Sequence, residues 1–458
     1  MLRNILNTFV NCFKIPELKS RIFFTLAILV VCRLISWVPI PGLDGHALTE
    51  FFKTAAERGG GGFLGMYSMF TGGALEHCAV GSLGIMPYIS ATIIIQLLTA
   101  VVPHLSKLAR EDGGRVQLIK YGRYLTVLLC LGQGFVLALG YENPQKIFQN
   151  FQGQLVAFPG WWYRIEATLV LTTGTLLLMW LGEQITERGI GNGVSLVISI
   201  GIVARFPQAI LSLKDMFMPG ADIEARYNVF HGVALIGLLV LVIGGVIAMT
   251  QAQRKIPVQY AQRMVGKKMV QGGSQFMPLR VNYAGVMPII FAQAILMFPE
   301  KILTLLGQVF NLPFLVQIAV HFREDAVTYL IIYSAMILFF SYFWVATQFN
   351  EIQIADDLKK TGGYIPGVRP GVQTSDFLHK TMSRITLGGA AFLTIIAVIP
   401  ILLYRIITVP YPVAQFFGGT SILITVGVML DTMRQMETHL LMRHYDGFLK
   451  KGRLKGRF

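Results

Sequence analysis

Charge is what this sequence has least of. Only 14% of its 458 residues are Asp, Glu, Lys or Arg, where a soluble domain carries roughly 25%. With 54% hydrophobic residues and a mean hydropathy of +0.59, the chain would aggregate in water, which makes lipid its expected solvent. Cysteine is also scarce. On the topology below, Cys12 falls in a loop, Cys32 and Cys130 in spans, and only Cys78 near the outer face. That excludes a disulfide framework, and no metal-ligand spacing occurs. Catalytic signatures are missing as well. Gly266-Lys267-Lys268 lacks the upstream glycine and the hydroxyl of a phosphate loop, and neither H-E-x-x-H nor G-x-S-x-G occurs. Acidic residues near a membrane midplane, which ion-coupled carriers use, form no convincing set. Asp431 lies near a span end, as do Arg123, Arg205 and Arg405, where their charges can reach water, and only Arg33 sits within a span. Arg33 either pairs with a buried carbonyl or carboxylate, or snorkels outward. The expectation is no enzyme, no cofactor and no metal.

What is present is a series of apolar runs. Ten are long enough to span: 22–40, 79–102, 121–139, 165–182, 194–211, 229–250, 281–298, 327–349, 385–407 and 416–436. The second, fifth and seventh are the most polar. Residues 1–21 lack the pattern of a cleavable signal peptide, so the first run is expected to be retained. The net charge of +15 could mean nucleic-acid binding or basic loops on one side of a membrane. Placement decides. Of 39 Lys and Arg, 28 fall on the side that holds both termini, 10 on the other, and Arg33 within the first span. By the positive-inside rule both termini are cytoplasmic.

Two of the inside loops, 251–281 and 350–384, are longer than connectors need to be. Topology signalling alone is the plain reading; their length and basicity favour a docking surface. The outer segment 41–78 holds Gly59-Gly60-Gly61-Gly62, a hinge-like run, and then an apolar stretch from Phe63 to Phe70 that is too short to span. Taken alone, that stretch is either an interfacial helix or a re-entrant piece sheltered by protein.

An internal repeat adds order. Gly84-Ile85-Met86-Pro87-Tyr88-Ile89-Ser90-Ala91 and Gly285-Val286-Met287-Pro288-Ile289-Ile290-Phe291-Ala292 share G-[IV]-M-P-x-I-x-A. They fall in spans two and seven, which run in opposite directions, so the chain reads as two inverted halves of five spans. Such repeats place a functional path at their interface. Pro87 and Pro288 are expected to kink their helices.

Several strings become specific together: Val38-Pro39-Ile40-Pro41-Gly42, Gly72-Gly73-Ala74-Leu75, the first repeat unit, Met179 through Gly193 (MWLGEQITERGIGNG), Pro366-Gly367-Val368-Arg369-Pro370-Gly371 and Gly418-Gly419-Thr420-Ser421. In this order they resemble the bacterial SecY family, the channel subunits of the general protein-export translocon, over nearly the whole chain. The resemblance implies an all-α integral membrane protein, with ten transmembrane helices in two inverted halves around a central hourglass pore. Residues 1–211 would form the N-terminal half, 212–436 the C-terminal half and 437–458 a basic tail. By motif position, Ile85, Ile89, Val194, Ile198, Ile290 and Ile424 would form the aliphatic ring at the pore's waist. Phe63, Leu64, Met66, Tyr67, Met69 and Phe70, in a segment near 62–78, would form a plug. Gln96 and Gln293 are polar candidates for a lateral gate. Arg369, with Arg254, Lys255, Lys267 and Lys268, would dock a ribosome or the SecA motor. The implied partners are SecE, SecG, SecA, the ribosome, SecDF, YidC, an unfolded preprotein and membrane lipid. The implied location is the cytoplasmic membrane, and the implied function is a passive protein-conducting channel. The rival reading is an inverted-repeat secondary transporter, which the lack of midplane carboxylates disfavours.

Overall fold

The structure, a computed structural model, describes residues 15–57, 67–68, 70–111, 113–144, 151, 153–217, 229–260, 263–265, 268–270, 273–309, 312–322, 326–403, 413–414, 416 and 420–451. Each of the ten apolar runs contains a helix. Six helical stretches among the described residues are long and apolar enough to cross a membrane: Gly114–Glu142, Trp161–Arg188, Gly193–Lys214, His231–Gln251, Val327–Thr361 and Val372–Ile399. A seventh appears if Met86–Val101 and Pro103–Ala109, bent by 104°, are one span. Runs one, seven and ten hold the helices Pro16–Ile35, Met287–Val309 and Thr420–Lys451.

The chain folds as two compact units. The first comprises Met1–Asn228, Pro410–Phe416 and Ile424–Phe458. It holds α1 (Pro16–Ile35), α2 (Gly45–Glu57), α3 (Met86–Val101), α4 (Pro103–Arg110), α5 (Gly114–Glu142), α6 (Trp161–Arg188), α7 (Gly193–Val203) and α8 (Phe206–Phe217). The second comprises Val229–Val409 and Phe417–Leu423. It holds α9 (Val229–Gln251), β1 (Gln253–Tyr260), β2 (Arg263–Val265), β3 (Lys268–Val270), β4 (Ser274–Arg280), α10 (Met287–Val309), α11 (Pro313–Val320), α12 (Val327–Gln348), α13 (Glu351–Thr361), β5 (Gly363–Tyr364) and α14 (Val372–Leu402). The last helix, α15 (Thr420–Lys451), starts in the second unit and continues in the first.

The shared repeat is a device for starting helices. Gly84 and Gly285 have φ of +58° and +60°, a left-handed turn that suits glycine. In both copies the helix begins at the Met that follows, α3 at Met86 and α10 at Met287, with Pro as its second residue. Neither proline kinks a helix. In the first turn a missing N–H costs nothing, because that donor has no intrahelical partner there. Residues 79–85 and 281–286 therefore lie outside the helices, which begin later than the apolar runs do. A true break comes at Val102. Its extended backbone (ψ 114°) is what the following Pro103 demands.

Two sequence strings in the first unit owe their form to close backbone contact. Val38-Pro39-Ile40-Pro41-Gly42 is an extended strap. Ile40 N donates to Cys78 O at 2.9 Å, Val80 N to Val38 O at 2.8 Å and Ala157 N to Gly42 O at 3.2 Å. The string from Met179 to Gly193 turns α6 into α7. A Cβ on Gly193 would collide with the Gly182 carbonyl. Asn192 caps α7 by accepting from Ser195 N at 3.2 Å, Ile190 N donates to Thr25 Oγ1 at 3.1 Å, and Gly191 N donates to Gln435 Oε1 at 2.8 Å. Glycine and asparagine are thus needed to fold α6, α7, α1 and α15 onto one point.

In the second unit the two long basic loops fold into one platform. Antiparallel β1 and β4 pair from Gln253↔Arg280 to Gln259↔Ser274, and β5 joins the other edge of β1 through Gln259↔Tyr364 and Tyr260↔Gly363. Ile256, Val258 and Leu279 pack with Val345, Phe349, Ile365, Leu378 and Met382 as one buried cluster. Helix α13 is capped at both ends, by the Asn350 side chain and by Gly362 at φ +73°.

Candidate functional site

The six aliphatic positions are distributed between the two units. Ile85, Ile89, Val194, Ile198 and Ile424 belong to the first, Ile290 to the second. Five are buried, and Val194 is partly exposed. In the first unit, Ile85 Cδ1 and the backbone of Val194 both lie 3.6–3.7 Å from where a Gly182 Cβ would stand. The small residue in α6 brings the start of α3 and the start of α7 together. In the second unit Ile290 lies beside Phe291, whose ring packs edge-on against Phe340 (5.8 Å) and Trp344 (5.4 Å) of α12. Gln96 is half-buried on α3. Gln293 on α10 is buried, and its Oε1 has no hydrogen-bond partner among the described residues.

Of the plug positions, Phe63, Leu64, Met66 and Met69 lie outside the described residues, as does the four-glycine run. Tyr67 and Phe70 have helical backbone, and Phe70 is buried. The segment that follows is buried from Thr71 to Leu75. It sits on α2, which sequence reasoning missed. Gly45 of α2 approaches the His77 carbonyl so closely that a Cβ there would stand 2.8 Å from it. Thr49 Oγ1 donates to the carbonyls of Gly45 (2.8 Å) and Glu76 (3.0 Å). Leu48, Phe52, Leu75 and Cys78 share a core with Tyr141 of α5 and Leu171 of α6. His77 stacks on Trp37 at 4.5 Å. Burial lowers the pKa of its imidazole; Glu76 opposes this, while Arg205, Arg33 and His46 add to it.

Arg33 and Arg205 both have partners within the first unit. Arg33 Nη1 donates to the Gly72 carbonyl at 2.8 Å, the buried-carbonyl alternative. Arg205 was expected to reach water. It instead forms an ion pair with Glu76 at 2.6 Å, and its own side chain is only 17% exposed. It also contacts Ser68 Oγ and donates to Gln208 Oε1 at 2.6 Å. The cause is local. Run five is interrupted at Ala204-Arg205, between α7 and α8, and that turn frees Arg205 from a lipid-facing helix position. Two opposite charges 129 residues apart carry no sequence signal that would link them.

The candidate docking residues lie on the platform. Arg254 and Lys255 are exposed on β1, opposite Leu279 and Pro278. Lys267 lies outside the described residues, and Lys268 begins β3. Arg369 is exposed in a turn shaped by Gly367 (φ +82°) and Gly371 (φ +103°). Thr374 Oγ1 holds that turn by donating to the Arg369 carbonyl at 2.9 Å. Val368 packs against the platform core beneath it.

Comparison with known proteins fits this architecture. The SecY family model matches residues 79–433. "Protein translocase subunit SecY" of Chlamydia trachomatis serovar D is 40% identical over 457 residues, which cover 98% of this chain and 99% of the relative. That of Escherichia coli K12 is 41% identical over 444 residues, 96% of each chain. Three solved structures share the fold at 18–19% identity, each covering 97% of this chain and 98% of its own. They are "The structure of a protein conducting channel" (TM-score 0.57), "The plug domain of the SecY protein stablizes the closed state of the translocation channel and maintains a membrane seal" (0.57) and "Sec61 in the Canine ribosome-channel complex from the endoplasmic reticulum" (0.54). This chain belongs to the SecY family of protein translocase subunits and has that family's ten-helix, multi-pass, protein-conducting-channel fold.

Proposed function

We propose that the chain is a passive channel that passes unfolded preproteins across the bacterial cytoplasmic membrane and releases apolar segments sideways into lipid. The observation that carries this reading is end-to-end similarity to translocase subunits together with the fold of a protein-conducting channel. The secondary-transporter alternative finds no support among these relatives. Residues 1–211 and 212–436 are read as the inverted halves, with both termini cytoplasmic because basic residues crowd that side.

The chemistry suits the role. Ile85, Ile89, Val194, Ile198, Ile290 and Ile424 form the waist of the channel in this reading. An apolar constriction sheds water, so ions meet a desolvation barrier. Aliphatic side chains can still part around any passing residue without a specific hydrogen bond. Residues 63–78 are the plug, supported by the burial of Phe70 to Leu75 inside protein. Gln96 and Gln293 flank the lateral gate in this reading. An apolar segment that leaves through that gate gains burial in lipid. No step needs a cofactor or catalysis by this chain; force comes from outside. The platform bearing Arg254, Lys255, Lys267, Lys268 and Arg369 receives SecA or the ribosome. SecE and SecG complete the complex, and SecDF and YidC act beside it.

Reconstitution tests this reading. Vesicles that hold the chain with SecE, SecG, SecA and ATP should shield an unfolded preprotein from added protease. Equal shielding by vesicles without the chain would overturn it.

A further inference from the structure

The Arg33 and Arg205 contacts converge on one short stretch, Ser68 to Glu76, from two different helical elements. Arg33 comes from α1 and grips a backbone carbonyl, that of Gly72. Arg205 comes from the α7–α8 turn and grips side chains, those of Glu76 and Ser68. Ser68 Oγ in turn donates to Glu76 Oε1 at 2.8 Å, which closes a three-residue ring of contacts. The sequence is cut to fit. Gly72 (φ +64°) and Gly73 (φ +92°) need left-handed backbone, which glycine supplies freely. A Cβ on Gly72 would strike the Arg33 guanidinium and stand 2.9 Å from Gly201 Cα; one on Gly73 would stand 3.2 Å from the Arg205 guanidinium. Gly72-Gly73 is thus the cradle for two cations. Arg205 Nε is buried with no partner among the described residues.

We propose that Arg205–Glu76 and Arg33–Gly72 form a two-point latch that holds the plug segment closed, and that breaking the Arg205–Glu76 pair is a step in opening the channel. The proposal rests on reading residues 63–78 as the plug. The two grips differ in kind. The Arg33 grip on a carbonyl is indifferent to the plug's side chains. The Arg205 grip is a charge pair at 17% and 13% side-chain exposure, so little water screens it. A translocating chain that draws Glu76 into water breaks the second and leaves Arg205 with Gln208 alone. Opening thus becomes an all-or-none event, because Ser68 and Glu76 leave together.

Resting ion flux through the reconstituted full-length chain with SecE and SecG tests the latch. Glu76→Gln keeps the side chain's size and removes its charge; it should raise resting flux about tenfold, a shift of the closed–open equilibrium by one decade. Arg205→Glu should raise it further. The swap Arg205→Glu with Glu76→Arg should return flux to within about twofold of the unaltered chain. Deletion of residues 63–70 is run in parallel. If the deletion leaks and the latch variants do not, the plug reading stands and the latch is overturned. If single variants leak and the swap does not restore closure, the pair is not the latch. If the deletion itself leaves flux unchanged, the plug reading fails and takes the latch with it.

Discussion

Changing Ile424→Asn should raise the resting ion conductance of reconstituted vesicles roughly tenfold or more. Ile424 is fully buried near the start of α15. An amide placed there without partners costs about 1–3 kcal/mol while the site is dry. It recovers that cost when water enters, so the closed state loses what the open state keeps. Each 1.4 kcal/mol of difference is a factor of ten in the equilibrium. The same change at a lipid-facing aliphatic position, such as Leu241 on α9 (67% exposed), should leave conductance unaltered. Equal conductance in both variants would remove Ile424 from the seal.

The second large effect is on drive. Arg369→Glu should lower SecA- or ribosome-driven translocation by about tenfold while the protein inserts and folds as before. The fold is spared because the turn is held by backbone groups. Thr374 grips the Arg369 carbonyl, and Gly367 and Gly371 supply the left-handed residues. None of these uses the guanidinium, which stands exposed above the packed Val368. A rigid, exposed arginine suits bidentate contact with a carboxylate or a phosphate, and lysine is a poorer substitute. Arg369→Lys should therefore keep only part of the activity. Unimpaired translocation by Arg369→Glu would exclude this residue from docking.

Much of the fold was legible from local pattern. Apolar runs located the helices. The repeat at Gly84 and Gly285 was legible too, though its meaning changed: its prolines start helices rather than bend them. Helix α2 left no span-length signal because the chain from Gly45 to Glu57 is amphipathic and only 13 residues long. The β1–β4–β5 platform left a visible trace, since the buried Ile256 and Val258 alternate with the exposed Lys255, Pro257 and Gln259 in the two-residue period of a strand. Its meeting with β5 joins positions about a hundred residues apart, which no local pattern reports. The Arg205–Glu76 pair was illegible for the same reason. Each charge alone looked like an ordinary loop or span-end residue; only folding brings them to 2.6 Å.

The Ile424 prediction and the latch share one premise, that a polypeptide passes through this chain along its aliphatic side chains. The direct test is to stall a partly exported preprotein in membranes and place photoreactive probes at Ile89, Ile290 and Ile424, with Leu241 as the control facing lipid. The account predicts strong crosslinks to the stalled chain from all three and none above background from Leu241. Equal crosslinking from the control, or silence at the three aliphatic positions, would contradict it.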